Sequence, residues 1–162
     1  MTIEDIKSLP VGDLAAKNCI LFLWSTGPLQ QEARNALEAW GFKYKTIGFI
    51  WNKLNKKVPT RFMGMGSYTR ASAEFILIGI KGKTKNLIAQ HNIFQSQSEP
   101  IEKHSKKPDI FRELIEQLCV NKKRIELFAS KKVKGWDSIG FDIDGKDIKE
   151  SLTEIINNFS QK

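Results

Sequence analysis

The residues best suited to chemistry lie between His104 and Asp142. They read His104-Ser-Lys-Lys-Pro-Asp109, then Ile125-Glu-Leu-Phe-Ala129, then Gly135-Trp-Asp-Ser-Ile-Gly140-Phe-Asp142. A lysine just before a helix start can aim its ammonium at an anion that the helix N-terminus already favours, so Lys107 suits a carboxylate or a phosphate. Lys-Pro-Asp is also an ordinary helix entry, and composition alone puts that plainer reading ahead. Glu126 sits inside an apolar run, where an unpaired carboxylate is costly to bury. It either alternates out to solvent or has a specific partner. Asp142 follows a short strand, where α/β folds often set an acid against ribose hydroxyls; an ordinary turn aspartate would read the same way. A cation opening a helix, a strand ending near an acid and a second strand ending in Asp describe a nucleoside-cofactor site.

Other chemistries find less support. There is no phosphate-binding loop and no complete dinucleotide fingerprint, and Gly64-Met-Gly66 reads as a flexible turn. His91 and His104 are too isolated to share a metal, so no metal is expected. No serine or cysteine has a histidine base at a telling distance in sequence, and no residue stands out as catalytic. Cys19 and Cys119 lack metal-ligand spacing and point to a reducing cytoplasm rather than a disulfide framework. No apolar run approaches the ~20 residues needed to span a bilayer.

The elements that must hold these residues follow from periodicity. Thr2 and Asp5 mark a helix start, with Ile3 and Ile6 on one face. Cys19-Ile-Leu-Phe-Leu-Trp24 is a continuous apolar run, expected for a strand covered on both faces. Ser25-Thr-Gly-Pro28 offers capping hydroxyls for a helix bearing Leu29, Ala33, Ala36, Leu37 and Trp40 on one face, stopped by Gly41. Tyr44–Trp51 and Glu74–Ile80 read as strands, with a polar loop from Asn52 to Ser72 between them. His91–Gln95 reads as a short strand, and Pro108 opens a helix with Phe111, Leu114, Ile115 and Leu118 on one face. Arg124–Ala129 and Ile139–Ile143 read as further strands. Ile148, Leu152, Ile155, Ile156 and Phe159 form the stripe of a docked amphipathic helix. The alternation argues for a mostly parallel α/β sheet.

A chain of 162 residues with 41% hydrophobic content fits one domain with a real core. Its formal charge of +8 is clustered: Lys53, Lys56, Lys57 and Arg61; Lys81, Lys83 and Lys85; Lys103, Lys106 and Lys107; and the lysines from Lys122 to Lys134. Most lie between elements, where they can reach a polyanion. A lysine-rich solvated surface explains the same charge, and the two readings weigh evenly.

Taken in order, these segments resemble the adenine methyltransferase family named for the seventy-kilodalton subunit of the mRNA adenosine methyltransferase. Thr2–Val11, Leu21-Phe-Leu-Trp24, Ala39-Trp-Gly-Phe42, Gly64–Ala71, His104–Asp109, Ile125–Ala129 and Gly135–Gly140 each resemble a family segment. The resemblance implies transfer of a methyl group from S-adenosylmethionine to the exocyclic amine of adenine in DNA or RNA. It implies a Rossmann-like methyltransferase sheet with flanking helices over residues 1–144; the C-terminal amphipathic helix of residues 145–162, expected to dock on it, lies beyond the resemblance. The resemblance directs Lys107, Glu126, Ser130 and Asp142 toward the cofactor, and Arg61, Tyr68 and Arg70 toward the nucleic acid.

The departures carry as much information. The family's Asp-Pro-Pro-Trp acceptor loop, which precedes the Thr2–Val11 segment, is absent: Pro10, Pro28, Pro59, Pro100 and Pro108 are never adjacent. Ser130 replaces a usual arginine and Phe141 a usual asparagine. The strand carrying that loop belongs in the sheet centre, between the strands of Phe22 and Phe128, so its absence leaves two apolar edges. The expectations are a start placed too late, a degenerate remnant, or a non-catalytic nucleic-acid-binding or scaffold subunit completed by a homo- or hetero-oligomeric partner.

Overall fold

The structure is a computed structural model that describes residues 1–102 and 106–160. Lys103, His104 and Ser105 lie outside the described residues, as does the side chain of Phe159. In chain order the elements are α1 (Ile3–Lys7), α2 (Val11–Leu14), β1 (Cys19–Thr26), α3 (Gln30–Ala39), β2 (Lys43–Leu54) and β3 (Ala73–Lys81). After a 3-10 turn at Lys85–Leu87 come β4 (Ser96–Pro100), α4 (Ile110–Leu118), β5 (Ile125–Leu127), β6 (Asp137–Ile139), α5 (Phe141–Asp144) and α6 (Ile148–Ser160).

The sheet corrects the expectation of mostly parallel pairing. Four strands run in the order β1-β3-β2-β4, and β3 is antiparallel to both β1 and β2. Only β2–β4 and the separate pair β5–β6 are parallel. The reason is the long loop after β2. It folds back on itself and returns the chain as β3 beside β2. β1 and β2 therefore run the same way with β3 between them, and the β1-α3-β2 crossover spans that intervening strand.

Burial follows the pleat. Leu21 and Leu23 of β1 face one core cluster with Leu9, Val11, Leu37, Trp40, Ile139, Ile148 and Leu152. Phe22 and Trp24, the alternate residues, face a second cluster with Phe49, Trp51, Ile76, Phe111 and Leu114. The sheet is thus covered by α1, α3 and α6 on one face and by α4 on the other. Adjacent Ile76 and Leu77 of β3 are both buried, as a strand covered on both faces requires.

Local chemistry explains the element ends. Thr2 and Asp5 form a reciprocal capping box: Asp5 N donates to Thr2 Oγ1 at 3.1 Å and Thr2 N to Asp5 Oδ2 at 2.7 Å. Gly41 ends α3 in the left-handed region, with φ of 80°. Ser25 and Thr26, expected to cap α3, instead belong to β1, and Leu29 precedes α3 without a side-chain cap. The strand expected at His91–Gln95 is absent there. It forms just downstream as β4, whose polar Ser-Gln-Ser-Glu-Pro sequence has no apolar alternation to announce it and suits an edge. The strand expected over Ile139–Ile143 ends at Ile139, and Phe141 and Asp142 open α5 instead.

β1 pairs only with β3, and β5 only with β6, among the described residues. Each presents one unpaired edge. Ile125 and Leu127 of β5 nevertheless pack on the same cluster as Leu21 and Leu23 of β1. The C-terminal helix joins that cluster through Ile148 and Leu152, packing against α2 and β6. Leu152 is fully buried. Leu152→Ala is therefore expected to lower unfolding free energy by about 2–5 kcal/mol in urea denaturation. Glu154→Ala, which removes only an exposed ion pair with Lys146, should change it by less than about 1 kcal/mol.

Candidate cofactor and nucleic-acid site

The site is organised around an acid in the middle of apolar surroundings. Glu74, near the start of β3, is 7% exposed. Its Oε1 accepts from Lys53 Nζ at 2.5 Å, and its Oε2 accepts from Lys107 Nζ. The Lys107 ammonium lies 5.1 Å from the centroid of the Trp24 ring and 6.0 Å from that of Trp51. Lys53 Nζ lies 5.1 Å from the Trp51 ring. Trp24 meets Trp51 and Phe111 edge-on, and Trp51 Nε1 donates to the Glu99 carbonyl at 2.8 Å. Burial pushes the Glu74 carboxyl upward, but the hydrogen bonds and charges of Lys107 and Lys53 outweigh it and hold it below the usual range. The sequence left Glu126 between solvent and a specific partner, and Glu74 was overlooked. The same signal, a carboxylate in an apolar strand, was present at both positions.

A second ionic chain ties α4 to β5. Arg112 forks onto Glu126, with Nε to Oε2 at 2.8 Å and Nη2 to Oε1 at 2.7 Å. Arg112 Nη1 also reaches Asp109 Oδ1 at 2.5 Å, and Lys131 Nζ donates to Asp109 Oδ2 at 2.7 Å. The hydrogen bond from Lys131, reinforced by the charges of Lys131 and Arg112, holds the Asp109 carboxyl below its usual range against the effect of burial. Glu126 has the specific partner that its position demanded. Lys107, two residues before Asp109, directs its ammonium to Glu74 rather than standing unpaired before the helix.

At the carboxyl ends of β5 and β6 the backbone is tightly constrained. Phe128 adopts φ of 59°, a left-handed conformation that costs a non-glycine residue about 1–3 kcal/mol. Ala129 N donates to the Ile139 carbonyl at 2.8 Å. Gly140 passes so close that a Cβ would lie 2.4 Å from the Ala129 oxygen and 2.7 Å from its nitrogen. Ser130 and Asp142 follow these two strand ends, and both are exposed, as are the rings of Phe128 and Phe141. Lys131 brings Ser130 toward the α4 entry and thus toward Lys107. Lys107 thus lies before α4, Glu126 within β5, and Ser130 and Asp142 just after the ends of β5 and β6, with the Lys131–Asp109 bond tying the β5 end to the α4 entry. A hollow of about 390 Å³ lined by Lys132, Val133, Lys134 and Trp136 lies where β6 begins and holds none of these four.

Arg61, Tyr68 and Arg70 stand apart from that group, on the loop between β2 and β3. Its base is closed by an isolated bridge between Leu54 and Arg61, and by Asn55 Nδ2 donating to Thr60 Oγ1 at 2.9 Å. Lys53 N donates to the Ser72 carbonyl at 2.8 Å and Gly64 N to that of Ala71 at 3.1 Å. Gly64 and Gly66, expected as a flexible turn, are pressed against the returning chain. A Cβ would lie 2.2 Å from the Ala71 oxygen at Gly64 and 2.1 Å from the Thr69 oxygen at Gly66. The loop is a built arm, and the Lys53–Glu74–Lys107 bridge joins its base to the α4 entry.

The sequence profile of the MT-A70 family matches residues 1–142. The chain belongs to the MT-A70 family. It is 32% identical over 149 residues to the type II methyltransferase M.MunI of a Mycoplasma species, covering 92% of this chain and 61% of that protein. A putative N(6)-adenosine-methyltransferase MT-A70-like protein of Medicago truncatula is 30% identical, covering 90% of this chain and 24% of the plant protein. The non-catalytic subunit METTL14 of Drosophila melanogaster is 28% identical, covering 92% of this chain and 40% of that subunit. The MT-A70 domain described here thus spans less than two thirds of each of these relatives.

Replacing the buried acid tests how much the MT-A70 domain depends on its ionic bridge. A carboxyl whose folded-state pKa is depressed contributes stability above its unfolded pKa and loses it as pH falls through the folded value. Glu74→Gln should therefore destabilise the chain by about 1–3 kcal/mol at neutral pH, because two partly buried lysines lose their anionic partner and one of them its acceptor oxygen. The difference from wild type should shrink as pH falls below the ordinary glutamate range of about 4. Urea midpoints measured across that range check both the size and the direction.

Proposed function

We propose that this chain supplies the cofactor half of an S-adenosylmethionine-dependent adenine methyltransferase acting on DNA or RNA, and that the 162 residues alone do not turn over. The match of residues 1–142 to the MT-A70 family carries the reading. Its support in the fold is the position of Ser130 and Asp142 just after the carboxyl ends of a parallel strand pair, where open α/β sheets bind nucleoside ligands, and the ion pairs that tie those strands to the helix following Lys107. The donor set fits the cofactor. The Lys107 side chain is 31% exposed and its ammonium has donors beyond the one given to Glu74, enough for a carboxylate. Asp142 offers acceptors for a ribose diol, and Ser130 a hydroxyl.

Bound S-adenosylmethionine supplies an electrophilic methyl group on a sulfonium. The chain's part is to hold and orient. Lys107 neutralises the cofactor carboxylate, with Glu74 fixing its direction, while Arg112 holds Glu126 in place. Arg61 and Arg70 meet phosphates, and Tyr68 offers a ring for stacking. The exocyclic amine of adenine is a weak nucleophile, so catalysis rests on placing it in line and stabilising the charge that develops. The Asp-Pro-Pro-Trp loop that does this in the family is not among these residues.

The unpaired edges of β1 and β5, which share one core cluster, support a second element of the proposal: they accept a strand from another segment or subunit. Similarity to METTL14 favours one alternative, a non-catalytic nucleic-acid-binding or scaffold subunit.

Calorimetry should show S-adenosylmethionine binding that Lys107→Ala weakens about 10–100-fold, the worth of a hydrogen bond to a charged group. The same chain should transfer no labelled methyl group to adenine-containing oligonucleotides. Equal affinity in the two proteins would remove Lys107 from the site, and robust labelling would mean that other residues replace the acceptor loop.

Light scattering of the isolated chain should reveal dimers or larger species formed through the open edges. A clean, thermally robust monomer would mean that those edges are already satisfied.

A further inference from the structure

The β2–β3 arm carries three large apolar side chains that the fold does not use. Met63 is 75% exposed, Met65 95% and Tyr68 102%. From Arg61 to Met65 exposure alternates residue by residue: Arg61, Met63 and Met65 face out, while Phe62 and Gly64 face in. The arm is not slack, because Gly64 and Gly66 lock it against Ala71 and Thr69. Lys53, Lys56, Lys57, Arg61 and Arg70 lie between Asn52 and Ala73, with no Asp or Glu among them. Lys53 is neutralised by Glu74. Arg61 and Arg70 make no ion pair among the described residues. An apolar tip alone would suit many partners. A rigid apolar tip inside a stretch without acids suits a polyanion that also offers flat apolar faces.

We propose that this arm is a wedge for unstacked nucleobases, in which Met63 and Met65 lie against base faces while Arg61 and Arg70 hold the flanking phosphates. The inference rests on the nucleic-acid reading above and specifies which form of nucleic acid is preferred: one with a base already out of its stack. Met is unbranched and polarisable, so it fills an irregular gap between bases. Apolar wedges of this kind enter base steps in other nucleic-acid-binding proteins. Paired, stacked bases hide their faces, so a duplex offers the arm only its phosphates.

The test uses fluorescence anisotropy of the full chain with one labelled sequence in three forms: single strand, perfect duplex, and duplex with one abasic site opposite an adenine. Wild type should favour the single strand and the abasic duplex. Met63→Ser/Met65→Ser should lose that preference by about tenfold with an unchanged salt dependence, and Met63→Leu/Met65→Leu should retain it. Arg61→Gln/Arg70→Gln should weaken all three forms alike and lower the salt slope by about two. Thermal melts should be unchanged in every variant, since all four side chains are exposed. If the serine variant keeps the wild-type preference while binding persists, the wedge is wrong and the nucleic-acid reading stands. If no form binds even at low salt, both fall. If the serine variant instead loses self-association in light scattering at unchanged oligonucleotide affinity, the arm docks protein and the wedge is overturned.

Discussion

One carboxylate constrains everything near the candidate site. Glu74 lies in the strand that both β1 and β2 pair with, and a buried charge there is tolerable only if it is matched. Its two partners come from opposite directions in sequence: Lys53 from the end of β2, where the arm begins, and Lys107 from the entry to α4. Meeting at Glu74, they fix the arm's base and the helix entry relative to the same strand. Trp24 and Trp51 close over the ammonium groups and make the pairing partly dry. Asp109, Arg112 and Glu126 then carry the constraint from α4 to β5. Removing both lysines would leave the acid uncompensated, whereas a surface ion pair such as Lys146–Glu154 can be lost at little cost.

A second constraint comes from the sheet. β1 and β5 contribute to one core cluster yet are not hydrogen-bonded to each other. Side-chain packing thus holds the two sheets together while the backbone donors and acceptors along two edges stay unpaired. Unpaired edges next to a shared apolar core are poorly protected against pairing with another chain. Nothing in β1 blunts its edge: Cys19–Trp24 carries no charge and no proline. β4 at the opposite edge is short and carries Glu99 and Pro100. The asymmetry singles out β1, rather than β4, as the edge suited to receive a strand.

Much of this was legible in the residues. The capping box at Thr2, the apolar run of β1, the stop at Gly41, the face of α4 and the stripe of α6 all rest on local rules, and local rules decide element existence well. Pairing order was not legible. An alternation of strands and helices implies parallel strands only if each loop is a crossover, and the loop after β2 is instead a folded arm. Its Gly64 and Gly66 looked like slack because a tight backbone approach and a flexible turn call for the same residue. β4 escaped because an edge strand need not be apolar. At the site, Glu126 and its need for a partner could be read from one residue in an apolar run, but the partner itself, Arg112, could not. The pairing of Lys107 with Glu74 joins positions 33 residues apart and has no local signature.

The strained and the ionic features coincide in space, and this bears on what the arrangement is for. A packed core is served well by Leu and Ile, and ion pairs inside it are seldom the most stable choice. Here several costly features adjoin at β5: the ion pair of Arg112 with Glu126, a left-handed Phe128, and a Gly140 that admits no side chain beside Ala129. Strain of this kind persists only where surrounding structure over-determines it. Phe128 is held by the Ala129–Ile139 hydrogen bond on one side and by Glu126–Arg112 on the other, so its conformation follows from contacts that the core does not need. Stability alone would favour relaxing both. Keeping them sets the residues after β5 and β6 in a fixed orientation, which is what a site that works by positioning would require.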